Sequence, residues 1–150
     1  MKTTLALGSI ALVLGATYGA TAIAQVKPDV LVKQRQAGMT MVGKYWGQIA
    51  GMPSGKTPYN ADTVARNAPV LEVLSKLPWD GFVESTKDLK SGAQPAVFTD
   101  NAKFKTASDR MQTAMAQLAK VSKGDEATVK AAIADVGKTC GGCHDDFRTK

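Results

Sequence analysis

The chain is poor in the residues that most chemistry needs. It holds one histidine, His144, in 150 residues, which excludes a His-rich metal site and any mechanism that needs two histidines. Two cysteines, Cys140 and Cys143, cannot make a disulfide-dense scaffold. There is no glycine-rich phosphate loop and no G-x-S-x-G elbow. The carboxylates are scattered, and the pairs Asp125/Glu126 and Asp145/Asp146 read as solvated. A conventional enzyme is therefore not expected. Lysines are spread along the chain without a dense cluster, so the net charge of +6 does not mark a nucleic-acid surface. Past the first 24 residues no long apolar run exists, so no membrane insertion is expected of the remainder.

What is present begins with a leader. Residues 1–24 read as a secretory signal peptide, with Lys2 as the positive start, an apolar stretch from Leu5 to Leu14, and small residues from Gly15 to Ala24. Ala22-Ile23-Ala24 before Gln25 fits an A-x-A cleavage site. The competing reading, a membrane anchor, suffers from a short apolar core rich in Gly, Ala and Thr. Cleavage would leave residues 25–150 as one exported domain, placed in the periplasm, with the charge lowered to +5 by the loss of Lys2. A mild positive field of this size suits solubility, or steering toward anionic partners.

Four stretches of the remainder carry helical periodicity and none carries sustained alternation. The first helix is expected over about Pro28–Ala50, with Leu31, Met39, Val42, Trp46 and Ile49 on its apolar stripe. The second is expected from Asn60, a plausible N-cap, to Leu77, where Pro78 stops it; Pro69 lies inside and predicts a kink. A long connection follows over 78–99. The third helix should start at Thr99 or Asp100, with Phe104, Ala107, Met111, Ala114, Leu118 and Val121 in line. The fourth should start at Asp125, with Val129, Ile133, Val136, Cys140, Cys143 and Phe147 in line. Sustained 3-4 spacing predicts helices packed at about 20°, and four of them predict an all-α, antiparallel four-helix bundle. Met111 and Met115 read as packing residues.

Cys140-Gly141-Gly142-Cys143-His144 is C-x-x-C-H, the attachment signature of c-type haem. On a helix, residues three and four apart share a face, so both thiols and the imidazole project to one side. Two thiols can add across the two vinyl groups of one porphyrin while the imidazole reaches the iron. Gly141 and Gly142 are expected to leave room for the macrocycle against the backbone. Three other readings remain open: a Cys140–Cys143 disulfide, for which a helix gives poor geometry; a thioredoxin-like pair, which wants a βαβ context; and a zinc site, which needs a fourth ligand such as Asp145 or Asp146. A haem-free helical binding protein is a fourth.

If the haem is six-coordinate, methionine is the natural second ligand, because His144 is already used. Met39 is the prime candidate, since Arg35 lies one turn before it. An arginine on an apolar stripe is costly unless paired, and haem propionates would pair it; a snorkelling surface position is the alternative.

With these residues in view the chain resembles the cytochrome c′ family, the class II c-type cytochromes. The likeness rests on C-x-x-C-H near the C-terminus, Arg35-Gln36, Pro58-Tyr59, Leu77-Pro78-Trp79 with Phe82, Lys103-Phe104 and Arg148, and spans essentially all of 25–150. The resemblance implies one covalent haem c with thioethers to Cys140 and Cys143 and His144 as proximal iron ligand. It places Arg35 and Gln36 near the propionates, Met39 over the distal face, Trp79 and Phe82 close to the haem, and Arg148 near the proximal histidine. It implies electron transfer, binding of nitric oxide and carbon monoxide at a five-coordinate iron, redox partner proteins, and a homodimer built from the first two helices. In the related low-spin c-556 type, a first-helix methionine ligates the iron, which leaves Met39 open between the two.

Overall fold

The structure is a computed structural model that describes residues 26–149; the expected leader, residues 1–24, lies outside the described residues. Five helices follow in order: α1 (Pro28–Trp46), α2 (Ala61–Leu74), the one-turn α3 (Ala96–Thr99), α4 (Asn101–Val121) and α5 (Glu126–Phe147). The four long ones form an antiparallel bundle in which α4 packs most extensively on α5, α2 on α4, and α1 on α2.

Local chemistry starts each helix. Pro28 occupies the first turn of α1, where its missing N–H costs nothing. The side chains of Asn60, Asp100 and Asp125 cap α2, α4 and α5, accepting from the N–H groups of Thr63 at 2.7 Å, Lys103 at 3.2 Å and Thr128 at 2.9 Å. Each satisfies one of the donors that a helix start leaves without a partner. The apolar stripes then meet. Val64 and Leu71 of α2, Met115 and Leu118 of α4, and Val129, Ile133 and Val136 of α5 are buried together with Val42 of α1. Each such side chain contributes about 1.5–3 kcal/mol relative to leaving it in water.

Helix ends depart from the expectation, for non-local reasons. α1 stops at Trp46 rather than near Ala50. Residues 47–50 continue as hydrogen-bonded turns, and Ile49, fully buried, reaches the core. The carbonyl of Tyr45, in the last turn of α1, accepts instead from Asn67 Nδ2 of α2 at 3.2 Å, and the same amide reaches Gln48 Oε1 at 3.2 Å. α2 ends at Leu74 rather than Leu77. The Ser75 carbonyl is taken by the indole N–H of Trp79 at 2.6 Å, and the Ser75 hydroxyl donates to the Glu72 carbonyl at 2.7 Å. α2 continues unbroken through Pro69, which lies on its exposed face.

The connection over 78–99 is more ordered than its composition suggests. It contains single 3₁₀ turns at Trp79–Gly81 and Glu84–Thr86, and then α3. Its end is stitched to the end of α5: Gln94 N–H donates to the Phe147 carbonyl at 2.9 Å and Thr149 N–H to the Gly92 carbonyl at 3.0 Å.

Candidate functional site

α1 and α5 meet where Trp46 lies against Gly137; a Cβ added there would sit 3.6 Å from the ring. Beyond that contact a cavity of about 690 Å³ lies between α1 and α5, within the range of roughly 300–1,000 Å³ usual for cofactor sites. α5 supplies Cys140, Cys143, His144 and Phe147. α1 supplies Arg35, Gln36, Met39, Val42 and Trp46. The connection adds Trp79, Phe82 and residues 91–93, α4 adds Phe104 and Met111, and Arg148 stands at the C-terminal end. Every site residue singled out in the sequence thus borders this one cavity.

Helix periodicity explains the α5 wall. Cys140 and Cys143 continue the core stripe of Val129, Ile133 and Val136, so they face inward and are half-buried. His144 follows on the same side and is more exposed. Both thiols are free. Burial pushes the Cys140 thiol up from its ordinary value, aided by Cys143; burial and the nearby Asp146 carboxylate do the same to Cys143. His144 is shifted downward from 6.5 by burial first and by the Arg148 charge second, with Asp145 opposing. Its neutral form, the one that binds metals, is favoured.

The two glycines between the cysteines correct an expectation. Gly141 and Gly142 are exposed and do not border the cavity, and a Cβ at either would meet nothing within 4 Å. One and two residues past Cys140, at about 100° and 200° around the helix, they fall off the face that Cys140, Cys143 and His144 share. Gly38, beside Met39 on α1, packs on Pro78, whose Cγ would lie 3.1 Å from an added Cβ.

An aromatic run closes one wall. Phe104 lies edge-on to Phe82 at 4.9 Å, to Trp79 at 5.8 Å and to Phe147 at 5.2 Å between centroids. The cluster therefore links the connection to α5. Lys103 pairs with Asp146 at 3.0 Å above it, an exposed contact of small worth.

Arg35 is 3% exposed and has no carboxylate partner among the described residues. Burial alone lowers its pKa from the ordinary value. Its Nη1 donates to the Gly81 carbonyl at 2.7 Å and to Thr86 Oγ1 at 2.9 Å, and its Nη2 to Ser91 Oγ at 2.9 Å. The guanidinium also sits 4.5 Å from the centre of the Phe82 ring. The buried position accords with the sequence reading, and the partners it finds within the chain are neutral oxygens. Trp46, Val42 and Met111 were not singled out for the site. Val42 and Trp46 were within reach, since they follow Met39 at three and seven residues on the same stripe. Met111, read as a packing residue, is buried as expected and borders the cavity as well.

A family model described as Cytochrome C' matches residues 30–148. The chain belongs to the cytochrome c′ family. Cytochrome c' of Rubrivivax gelatinosus is 39% identical over 126 residues, covering 83% of this chain and 98% of that protein. Its crystal structure matches with a TM-score of 0.76 at 38% identity, over 82% of this chain and 98% of the other. A nitric oxide complex of a mutant cytochrome c prime from Alcaligenes xylosoxidans matches with a TM-score of 0.75 at 34% identity, over 84% and 98%. Members of the cytochrome c′ family carry covalently attached haem c, and this chain is a c-type haem protein.

The residues present fit that group. Among the described residues no three His, Cys, Asp or Glu side chains converge as a metal-ion site. Cys140, Cys143 and His144 are spread along one cavity wall instead, the arrangement a broad planar cofactor needs. The rest of the cavity is lined largely by apolar and aromatic side chains, with arginines at Arg35 and Arg148.

Proposed function

We propose that the chain, after removal of residues 1–24, is a periplasmic haem protein that transfers electrons and binds small uncharged gases, nitric oxide and carbon monoxide, at a five-coordinate iron. Cys140 and Cys143 form the thioethers and His144 is the proximal ligand. When bound, the haem would supply one-electron iron chemistry and a place on the metal for a small ligand. The protein's part is to hold and enclose. Met39 covers the distal side from α1, and Trp79 and Phe82 shield the edge. Arg35 and Gln36 stand on the propionate side; three of the five guanidinium N–H donors of Arg35 are taken by the connection, which leaves two. Arg148 favours a neutral His144. The nitric oxide complex of the Alcaligenes xylosoxidans relative supports the gas-binding reading. The role of this chain is binding and electron transfer rather than enzymatic turnover.

The observation that carries this reading is that both thiols and the only imidazole line one wall of a cavity whose facing wall is α1. A redox partner protein is expected, and the mild positive charge suits solubility or steering toward an anionic partner. No helix among the described residues is long and apolar enough to cross a membrane. A homodimer through α1 and α2 is supported by their exposed apolar side chains, Met41 at 39%, Val73 at 60% and, just past α2, Leu77 at 58%.

A second reading, a low-spin His/Met electron carrier, is favoured by the half-buried place of Met39 on the cavity wall. One preparation tests both. The exported protein, matured by a host competent for c-type cytochromes, should show the mass of the processed chain plus one haem; the bare processed mass would overturn the proposal. Broad high-spin bands in the reduced form, with carbon monoxide binding that displaces no ligand, are expected. Sharp low-spin bands would instead assign Met39 to the iron.

A further inference from the structure

The connection between α2 and α4 is mostly irregular, yet it provides a wall of the cavity through Trp79, Phe82 and Ser91. A long irregular segment of this kind is ordinarily among the least stable parts of a domain. One side chain reaches into it at three places. Arg35 binds the Gly81 carbonyl, the Thr86 hydroxyl and the Ser91 hydroxyl, all within 2.9 Å, so the single fork spans both ends and the middle of 81–91. The acceptors are prepared for it. Thr86 Oγ1 donates onward to the Val83 carbonyl at 2.8 Å, which turns its lone pairs toward Arg35. Ser91 Oγ also accepts from Ala93 N–H at 3.3 Å. Gly81 must lack a side chain, because a Cβ there would lie 2.7 Å from the Leu31 carbonyl and 3.0 Å from Arg35 Cβ. The face of the same guanidinium meets Phe82.

We infer that Arg35 is a positioning residue that latches the 81–91 segment onto α1 and holds the Phe82 wall, so that it governs how readily a small ligand enters the cavity. A guanidinium suits the task because its planar fork gives several bonds at fixed angles and a face that stacks on an aromatic ring; a lysine offers neither. This role is separate from balancing propionate charge, which needs only a positive group nearby. The gas-entry half rests on the haem reading above; the latch half does not.

Two haem-loaded variants test the latch, and a third, Arg35→Met, tests charge balance. Arg35→Lys keeps the charge and loses the fork. Thr86→Val combined with Ser91→Ala keeps Arg35 and removes two of its acceptors. Hydrogen–deuterium exchange of amides 81–91 should rise by about tenfold or more in both variants, while exchange in the middle of α4 and α5 stays unchanged. Carbon monoxide association, followed by flash photolysis, should quicken by roughly threefold or more in both. Unchanged exchange in 81–91 would overturn the latch. Faster exchange with unchanged association would overturn the control of entry. A reduction potential that stays put in Arg35→Lys and falls in Arg35→Met, with wild-type exchange and association in both, would assign Arg35 to charge balance alone. Absence of haem in the wild-type protein would overturn the functional proposal and leave the exchange result to decide the latch.

Discussion

Gln94 holds the end of α5 twice: its backbone N–H donates to the Phe147 carbonyl at 2.9 Å and its side-chain amide to the Arg148 carbonyl at 2.9 Å. The helix that carries Cys140, Cys143 and His144 would otherwise finish with free carbonyls in its last turn. Gln94→Ala removes only the side-chain bond and should cost about 0.5–1 kcal/mol in chemical denaturation, with faster amide exchange confined to 147–149.

Asn67 ties α2 to the last turn of α1 through Tyr45 and Gln48, while its own Oδ1 has no hydrogen-bond partner among the described residues. Asn67→Ala strips the Tyr45 carbonyl of its donor and leaves a void, and should destabilise the protein by about 2 kcal/mol. Asn67→Leu fills the space and also removes the unpartnered oxygen, so its loss should be smaller. Equal losses in the two would show that the interhelical bond dominates over packing.

Among the described residues Phe104 is the one ring that touches Trp79, Phe82 and Phe147. Phe104→Ala should cost about 3 kcal/mol or more and abolish much of the near-ultraviolet circular dichroism, whereas Phe104→Leu should cost about 1 kcal/mol.

Asp125 accepts from both the N–H and the hydroxyl of Thr128, which lowers its pKa from the ordinary 3.8. A carboxylate whose pKa falls on folding stabilises the native state above the unfolded value and loses that contribution as pH drops through the folded value. Asp125→Ala should therefore lower the melting temperature at pH 7. The gap to wild type should close on acidification below the carboxylate range. A gap of constant size across that range would show that charge at this cap contributes nothing.

Met39 faces the cavity from α1. Met39→Ala should leave the resting iron largely high-spin and change ferrous carbon monoxide affinity by about tenfold, the size of a contact worth ~1.4 kcal/mol. Conversion of the iron from low to high spin in the variant would show that the thioether had been a ligand.

The starts of α2, α4 and α5 could be read from the sequence because each depends on one polar residue and an N–H three positions away: Asn60, Asp100 and Asp125. The ends of α1 and α2 could not. They are decided by Asn67 and by the Trp79 indole, partners that only the folded chain brings close. The site divides in the same manner. Helical spacing alone put Cys140, Cys143 and His144 on one face, and the cost of burying Arg35 announced that it needed partners. Which partners it has among the chain's own groups was hidden, because Gly81, Thr86 and Ser91 arrive through a segment with no periodicity. Gly141 and Gly142 leave that face because the helix turns about 100° per residue: one and two residues past Cys140 they have rotated away from the side that Cys140, Cys143 and His144 share.

Every thiol and the only imidazole of this protein sit on α5, while the wall that faces them belongs to α1, far away in the chain. Anchorage and adjustment are thereby assigned to different stretches of polypeptide. A lineage built on this plan can redraw the wall opposite the cysteines by single substitutions around Met39, generation after generation, while the residues that would anchor the pigment stay untouched.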